Sequence, residues 1–379
     1  MNMTSHVQAR YAAGAQAVEP QLCCPIPYDQ NLLTLLPQEI IERDYGCGDP
    51  SRYVRQGETV LDLGSGGGKI CYMAAQLVGP GGRVIGVDMT DDMLALARHF
   101  QPYMAEKLGE DRVRFVKGQI QDLALDLDKV AAYLAEHPIG DLESLQRFEA
   151  WQQQQRAEQP MIASNSVDLV VSNCVLNLVD DGQKQQLMAE IFRVLKPGGR
   201  AAISDIVSDA PIPPSMKADA ELWSGCISGA FEESAFGDAF RAVGFVGVTY
   251  DKWDEKPWRV EGGIEFRSVT VLAYKPPVVD PSDQGHGVIY KGPFTHATDE
   301  WENIYPCGQR IAVNKQTYEL LGQAPYAAHF VRLAPQHALL PTPFTLPPGT
   351  ARPVEFMRGG TTHLGGEAGG SCKPGGGCC

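Results

Sequence analysis

The stretch that most restricts the fold is a glycine run set between an apolar strand and a helix. Thr59-Val60-Leu61-Asp62-Leu63 reads as a buried strand, residues 64–68 as a tight turn, and residues 70–78 as a helix closed by Gly79-Pro80-Gly81-Gly82. The alternation then repeats, with a strand at 83–87, an amphipathic helix at 91–108 behind a Thr90 cap, and a strand at 113–116. Strands separated by helices predict a parallel sheet with right-handed crossovers. Residues 121–160 interrupt the pattern with a polar segment containing Trp151-Gln152-Gln153-Gln154-Gln155-Arg156, too hydrophilic for a sheet strand and read as a surface helical insertion. The alternation resumes with a strand at 166–172, a helix at 183–195, the turn Lys196-Pro197-Gly198-Gly199 and a strand at 200–207, with further strands near 245–250 and 266–274. The expected architecture is α/β, a seven-stranded doubly wound sheet.

Four regions follow. Residues 1–50 form an N-terminal segment carrying the adjacent pair Cys23-Cys24, and 51–276 hold the α/β domain with its 121–160 insertion. A Pro-, Asp- and Ser-rich linker leads to a small β-rich domain at 286–335, and the Pro- and Gly-dominated stretch 341–379 is expected to be disordered. The charge balance, 32 Lys+Arg against 46 Asp+Glu for a net −14, argues against nucleic acid, whose nonspecific binding needs cations to displace counterions. No apolar run reaches the roughly 18 residues of a membrane span. The N-terminus lacks the apolar core of a secretory leader, so a cytoplasmic protein is expected. In that reducing setting the ten cysteines are not needed as structural disulfides, and no C-x-x-C pair supports zinc or thioredoxin-type chemistry.

The loop Asp62-Leu63-Gly64-Ser65-Gly66-Gly67-Gly68 narrows the ligand. A dinucleotide fingerprint started at Gly64 needs glycine where Lys69 stands, and a phosphate-binding P-loop needs Ser or Thr where Ile70 stands. The D-x-G-x-G-x-G pattern instead resembles the S-adenosylmethionine loop of class I methyltransferases, a Rossmann-like fold. Asp88 closes the second strand, where a carboxylate can accept both ribose hydroxyls. Met89 follows it. Gln119 and Ile120 follow the third strand, where a polar group meets adenine, although Gln119 can equally cap the strand. Asn173 either lines the donor pocket or satisfies backbone groups.

Ligands of open α/β sheets lie beyond the carboxyl ends of the strands. Cys174 falls there after the fourth strand, and Cys226 after the fifth; Cys71 sits in the first turns of the glycine-loop helix, where the dipole favours a thiolate, and Cys47 lies just before the domain. Four thiols are therefore expected to converge on one methyl donor, or each is a small buried hydrophobe.

Over about residues 20–335 the chain resembles arsenite S-adenosylmethionine methyltransferases. The resemblance rests on Cys23-Cys24, Tyr45-Gly46-Cys47-Gly48, Cys71-Tyr72, Val87-Asp88-Met89-Thr90, Ser172-Asn173-Cys174-Val175 with Asn177-Leu178, and Gly225-Cys226-Ile227 with Gly229-Ala230. Tyr290-Lys291-Gly292-Pro293-Phe294 and Ala324-Pro325-Tyr326 extend it into the small domain. It implies a donor site at Asp62, Gly64, Ser65, Gly66, Asp88, Met89, Gln119, Ile120 and Asn173. It also implies As(III) bound by Cys174 and Cys226, with Cys47 and Cys71 completing the first substrate site and exchanging disulfides, and glutathione or thioredoxin as the thiol reductant. The chain departs from the family's commoner loop at Ser65 and Gly67-Gly68-Lys69-Ile70, and its insertion is long. Two other readings remain: methyl transfer to selenium, tellurium or a small organic acceptor, and a thiol-rich metalloid-binding protein without turnover. On a Gly-rich tether, Cys372, Cys378 and Cys379 either deliver a thiophilic ion or do nothing specific.

Overall fold

The structure, a computed structural model, describes residues 3–19, 26, 28–337 and 339–357. The chain divides into two compact units, Met1–Pro276 and Pro277–Cys379. In the first, strands β1 (Thr59–Leu63), β2 (Arg83–Asp88), β3 (Val113–Lys117), β4 (Val167–Asn173), β5 (Leu195–Ser208), β6 (Phe231–Glu232), β7 (Val246–Trp253), β8 (Arg259–Glu261) and β9 (Ile264–Tyr274) form one sheet. Its main path runs β3-β2-β1-β4-β5-β9-β7, with the short β6 beside β5 and β8 beside β9. The pairs from β3 to β5 are parallel, and β9 lies antiparallel between β5 and β7. The strand order reverses between β1 and β4, the point at which an open α/β sheet leaves a crevice beyond its strand ends. The predicted seven-stranded doubly wound sheet is therefore present. Lys196–Gly199, expected as a turn before the fifth strand, instead forms an irregularity inside β5, where the pairing passes from Val167–Leu195 to Leu169–Arg200.

Among the described residues the α-helices of this unit are α1 (Met3–Gln16), α2 (Gln30–Leu33), α3 (Gln38–Glu42), α4 (Lys69–Val78), α5 (Asp91–Leu108), α6 (Leu127–Glu136), α7 (Leu142–Glu158), α8 (Lys184–Val194), α9 (Pro214–Lys217), α10 (Ala220–Ser224) and α11 (Glu233–Ala242), and the second unit has α12 (Lys315–Leu320). Two apolar layers cover the sheet. One is built from β1, β4 and β5 with α8 and α11, and the other from α4, α5 and Ile40 of α3. The N-terminal segment is thus not separate from the α/β unit: Ile40 is fully buried in it, and α1 packs against α5 and α10. Among the described residues no helix is long and apolar enough to cross a membrane.

In the second unit a three-stranded antiparallel sheet of β10 (Gly287–Tyr290), β13 (Arg310–Ala312) and β14 (Phe330–Leu333) stands with a hairpin of β11 (His296–Thr298) and β12 (Ile304–Pro306). Part of the stretch expected to be disordered is built into this unit. Thr342 pairs with Asp283, Ala351 with Ile311, and the buried Arg352 guanidinium binds Asp283 at 2.7 Å. The proline content that suggested disorder is compatible with an extended strap whose hydrogen bonds go to neighbouring segments. Residues 358–379, including Cys372, Cys378 and Cys379, lie outside the described residues, as do Cys23 and Cys24.

The insertion forms the helical pair α6 and α7, neither of which contributes a buried residue. Tyr133, Phe148 and Trp151 stack on one another, so the pair packs largely on itself. At its base Met161 donates to Ala124 O at 3.0 Å and Ile162 to Leu123 O at 2.9 Å, closing the core behind it. Replacing residues 127–158 by a short glycine linker removes two outward ion pairs, Arg156–Asp122 and the longer, exposed Arg98–Asp128, together worth about 1 kcal/mol. The melting temperature is expected to stay within about 4 °C of the full chain; loss of the cooperative transition would make the insertion part of the core.

Candidate functional site

The glycine loop bends because its backbone enters the left-handed region at Gly64 (φ 68°), Gly66 (φ 50°) and Gly68 (φ 89°). The amides of Gly64 and Ser65 both donate to Val87 O, at 2.8 and 3.0 Å, tying the loop to the end of β2. A side chain at Gly64 would put its Cβ 2.4 Å from Val175, so the loop after β4 approaches β1 as closely as glycine allows. Asp88 accepts from the Gly66 amide at 2.9 Å and from the Thr90 amide at 2.8 Å. Burial pushes its pKa up against those bonds.

Beyond the ends of β1 and β4 opens a cleft of about 960 Å³, its open mouth included. Asp62, Gly64, Ser65, Gly66, Asp88, Met89, Ile120 and Asn173 line it. Gln119 does not: it pairs with Asp122 in a tight bridge, whose amide donates to Gln119 O at 3.0 Å, and Gln121 takes the lining position. Thr4, Val7 and Tyr11 of α1 also line the cleft, which composition and spacing gave no means of anticipating. Tyr45 fastens that helix by donating to Gly14 O at 3.0 Å.

A smaller chamber of about 270 Å³ adjoins this cleft, sharing Tyr11 and Tyr45 with it and lined also by Cys174, Ile206, Gly225, Cys226 and Trp258. Cys47 does not line the chamber but packs beside Cys174 and Cys226 in one apolar cluster, and all three are buried and free. The sulfurs of Cys47 and Cys174 and a carboxylate oxygen of Asp205 lie within 4.8 Å of one another. The Cys226 thiol donates to Cys174 O at 3.0 Å and lies 3.8 Å from the Tyr11 hydroxyl. Cys174 and Cys226 both hold left-handed backbones, φ 65° and 62°, a conformation rare outside glycine and costly enough to need enforcement by its surroundings. At Cys174 its amide is bound to Ser204 O at 2.8 Å, and at Cys226 the amide is bound to Trp223 O at 3.1 Å.

Cys71 does not join them. It is fully buried among the residues of α4 and the sheet, and its thiol donates to Asp62 Oδ2 at 3.2 Å. The expected four-thiol convergence is therefore three. Nor does the helix start favour a thiolate: burial first, then the Asp62 charge, raise the Cys71 pKa well above its ordinary value, because a dipole's partial charge cannot replace lost hydration. Burial likewise raises Cys47 and, with hydrogen bonds to the neighbouring thiols, Cys174. Burial also raises Asp205 to about 7, although its oxygens accept from the Leu176 and Ile206 amides at 2.9 and 2.8 Å. At neutral pH the Cys47 and Cys174 thiols therefore hold their protons, while Asp205 stands near the midpoint of its titration. Asp205 was legible in principle, since it lies near the carboxyl end of β5, but cysteine spacing alone does not select it. Cys307 is exposed in the second unit.

The family described as "Methyltransferase domain" matches residues 55–259, more than half of the chain. A domain of unknown function, DUF8838, matches residues 278–362. The arsenite methyltransferase of Aquipseudomonas alcaligenes is 33% identical over 316 residues, covering 79% of this chain and 80% of that protein. That of Mus musculus is 30% identical over 334 residues, covering 84% and 78%. The crystal structure of an arsenic (III) S-adenosylmethionine methyltransferase from Chlamydomonas reinhardtii superposes with a TM-score of 0.53 at 28% identity, covering 84% of this chain and 99% of that one.

Asp62 gives the site a pH signature. Its pKa rises from 3.8 to about 8, chiefly through burial, so between those values the folded protein keeps a proton that the unfolded chain releases. Stability contributed by this group therefore falls as the pH rises through that window. The Asp62→Asn variant is expected to lose less melting temperature than the wild type between about pH 5 and about pH 8; parallel curves would show that the carboxyl is ionised in the fold.

Proposed function

The chain belongs to the arsenite methyltransferase family, and from that premise we propose that it transfers methyl groups from S-adenosylmethionine to trivalent arsenic held by Cys174, Cys226 and Cys47. The observation that carries this reading is the convergence of three buried thiols from three separate segments, two of them lining a chamber that shares Tyr11 and Tyr45 with the cleft.

The cleft suits the donor. Asp88 stands at the end of β2 where a ribose is bound in such sheets, Gly64 and Gly66 let backbone approach the ligand, and Ser65 lines the cleft with a buried Oγ that has no protein partner. Bound there, S-adenosylmethionine supplies an electrophilic methyl group on a sulfonium.

Raised thiol pKa values do not oppose substrate capture. When arsenous acid meets a thiol, the S–H and As–O bonds break, an As–S bond forms, and the proton leaves with the hydroxide as water. Three such exchanges release three waters and no net proton, so protonated thiols take up a neutral acid and no new charge is buried. Thiolates suit this soft centre and leave its lone pair free. The protein's share of catalysis is then to hold that lone pair in line with the methyl carbon, an orientation effect that can supply several kcal/mol of the barrier. A pentavalent product regains two electrons when two of the protein thiols close a disulfide. A thiol reductant such as glutathione or thioredoxin, available in the cytoplasm, reopens it by exchange. Cys71 enters as an exchange partner and not as a resting ligand, because it is held at Asp62.

Purified protein supplied with As(III), donor and thiol is expected to yield methylarsenicals by mass spectrometry. Cys174→Ser and Cys226→Ser should abolish methylation of both arsenite and methylarsenite; Cys47→Ser and Cys71→Ser should lose the arsenite step alone. Methylation of an organic acceptor with none of arsenic would overturn the reading. Tight As(III) binding with no donor binding in calorimetry would favour sequestration.

A further inference from the structure

Asn173 is the last residue of β4 and lines the cleft, which invites the view that it contacts the donor. Its hydrogen bonds say otherwise. Oδ1 accepts from the amides of both Cys47 and Gly48, each at 2.9 Å, and Nδ2 donates to Gly48 O at 2.9 Å and to the Tyr28 hydroxyl at 3.2 Å. An asparagine amide offers two lone pairs and two N–H groups, so the side chain is fully committed to the N-terminal segment. From the other side Ser268 Oγ donates to Cys47 O at 2.6 Å, and Lys252 Nζ, anchored on Asp254 and Ser268 at 3.1 Å, lies 3.4 Å from the same oxygen.

The flanking glycines fit this arrangement. A Cβ on Gly46 would fall 2.1 Å from Asn173 Nδ2, and one on Gly48 would fall 2.3 Å from Ser204 Oγ. Cys47 is therefore held by amide, carbonyl and both neighbours, on a segment with no sheet hydrogen bonds of its own. The thiol so placed is the one that meets Cys174 and Asp205.

We propose that Asn173 is a positioning residue for the arsenite step, acting through Cys47 by clamping its loop, and that it is not a donor ligand. The proposal rests on the reading of Cys47 as the third thiol. Since misplacement of a reacting group by about 1 Å can cost on the order of a hundredfold, loss of the clamp should affect whatever requires Cys47 and spare what does not.

The test compares Asn173→Ala with Cys47→Ser for three readouts: arsenite methylation, methylarsenite methylation and donor affinity by calorimetry. The expected result for Asn173→Ala is a loss of arsenite methylation of tenfold or more, methylarsenite methylation retained, and donor affinity within about twofold of the wild type. The double variant should lose no more than Cys47→Ser does. Ser268→Ala, which touches only the opposite side of the clamp, should show the same selective loss in weaker form and guards against misfolding at Asn173. Donor affinity weakened tenfold with both methylations falling together would make Asn173 a donor contact and overturn the proposal, as would unchanged arsenite methylation in both Asn173→Ala and Ser268→Ala. If Cys47→Ser itself fails to separate the two steps, the three-thiol reading falls and the clamp with it; if Cys47→Ser separates them and Asn173→Ala does not, the clamp alone falls.

Discussion

The site is organised around the last turn of backbone leaving β4. There the chain passes from the extended Asn173 into the left-handed Cys174, whose amide is bound by Ser204 of the neighbouring strand and whose carbonyl receives the Cys226 thiol. One residue earlier, Asn173 binds the Cys47 loop; one residue later, Val175 packs against the glycine turn after β1. Three consecutive residues thus join the cleft, the thiol chamber and the N-terminal segment. The strained backbone persists because bonds on both sides over-determine it. The reversal of strand order between β1 and β4 supplies the opening in which this can happen.

Burial then sets the chemistry. Cys47, Cys71, Cys174, Asp62 and Asp205 all have raised pKa values with desolvation as the leading cause. A cluster built this way is a poor home for a free cation or anion, and a good one for a neutral acid that exchanges hydroxide for thiol. The strongly acidic surface is no obstacle to such a substrate, because a neutral molecule needs no steering by charge.

Much of this was written locally in the chain. β1 runs over Thr59–Leu63 and α5 over Asp91–Leu108, with the bounds their patterns predict, because a buried strand and an amphipathic helix each carry their own period. The insertion reads as surface helix, and both its helices lack buried residues, since polarity reports directly on exposure. The misses share a cause as well. Helix α1 carries little amphipathic signal, yet its Tyr11 reaches the chamber because Arg10 binds Ser224 at 2.9 Å and Tyr45 binds Gly14. Gln119 lost its place to Gln121 through one bridge that residue counting does not detect.

By itself, the sequence determined the doubly wound sheet, the glycine turn with Asp88 beyond it, and the resemblance carried by the cysteine motifs. All of these depend on interactions between near neighbours or on the burial period of single elements. Tertiary structure alone decided which thiols meet. Cys47 is placed by bonds to Asn173 and Ser268, 126 and 221 residues away, whereas Cys71, much nearer to the glycine loop in sequence, is turned toward Asp62 and kept apart. Contacts across such separations form only once the strands have fixed their order, and no local pattern records them.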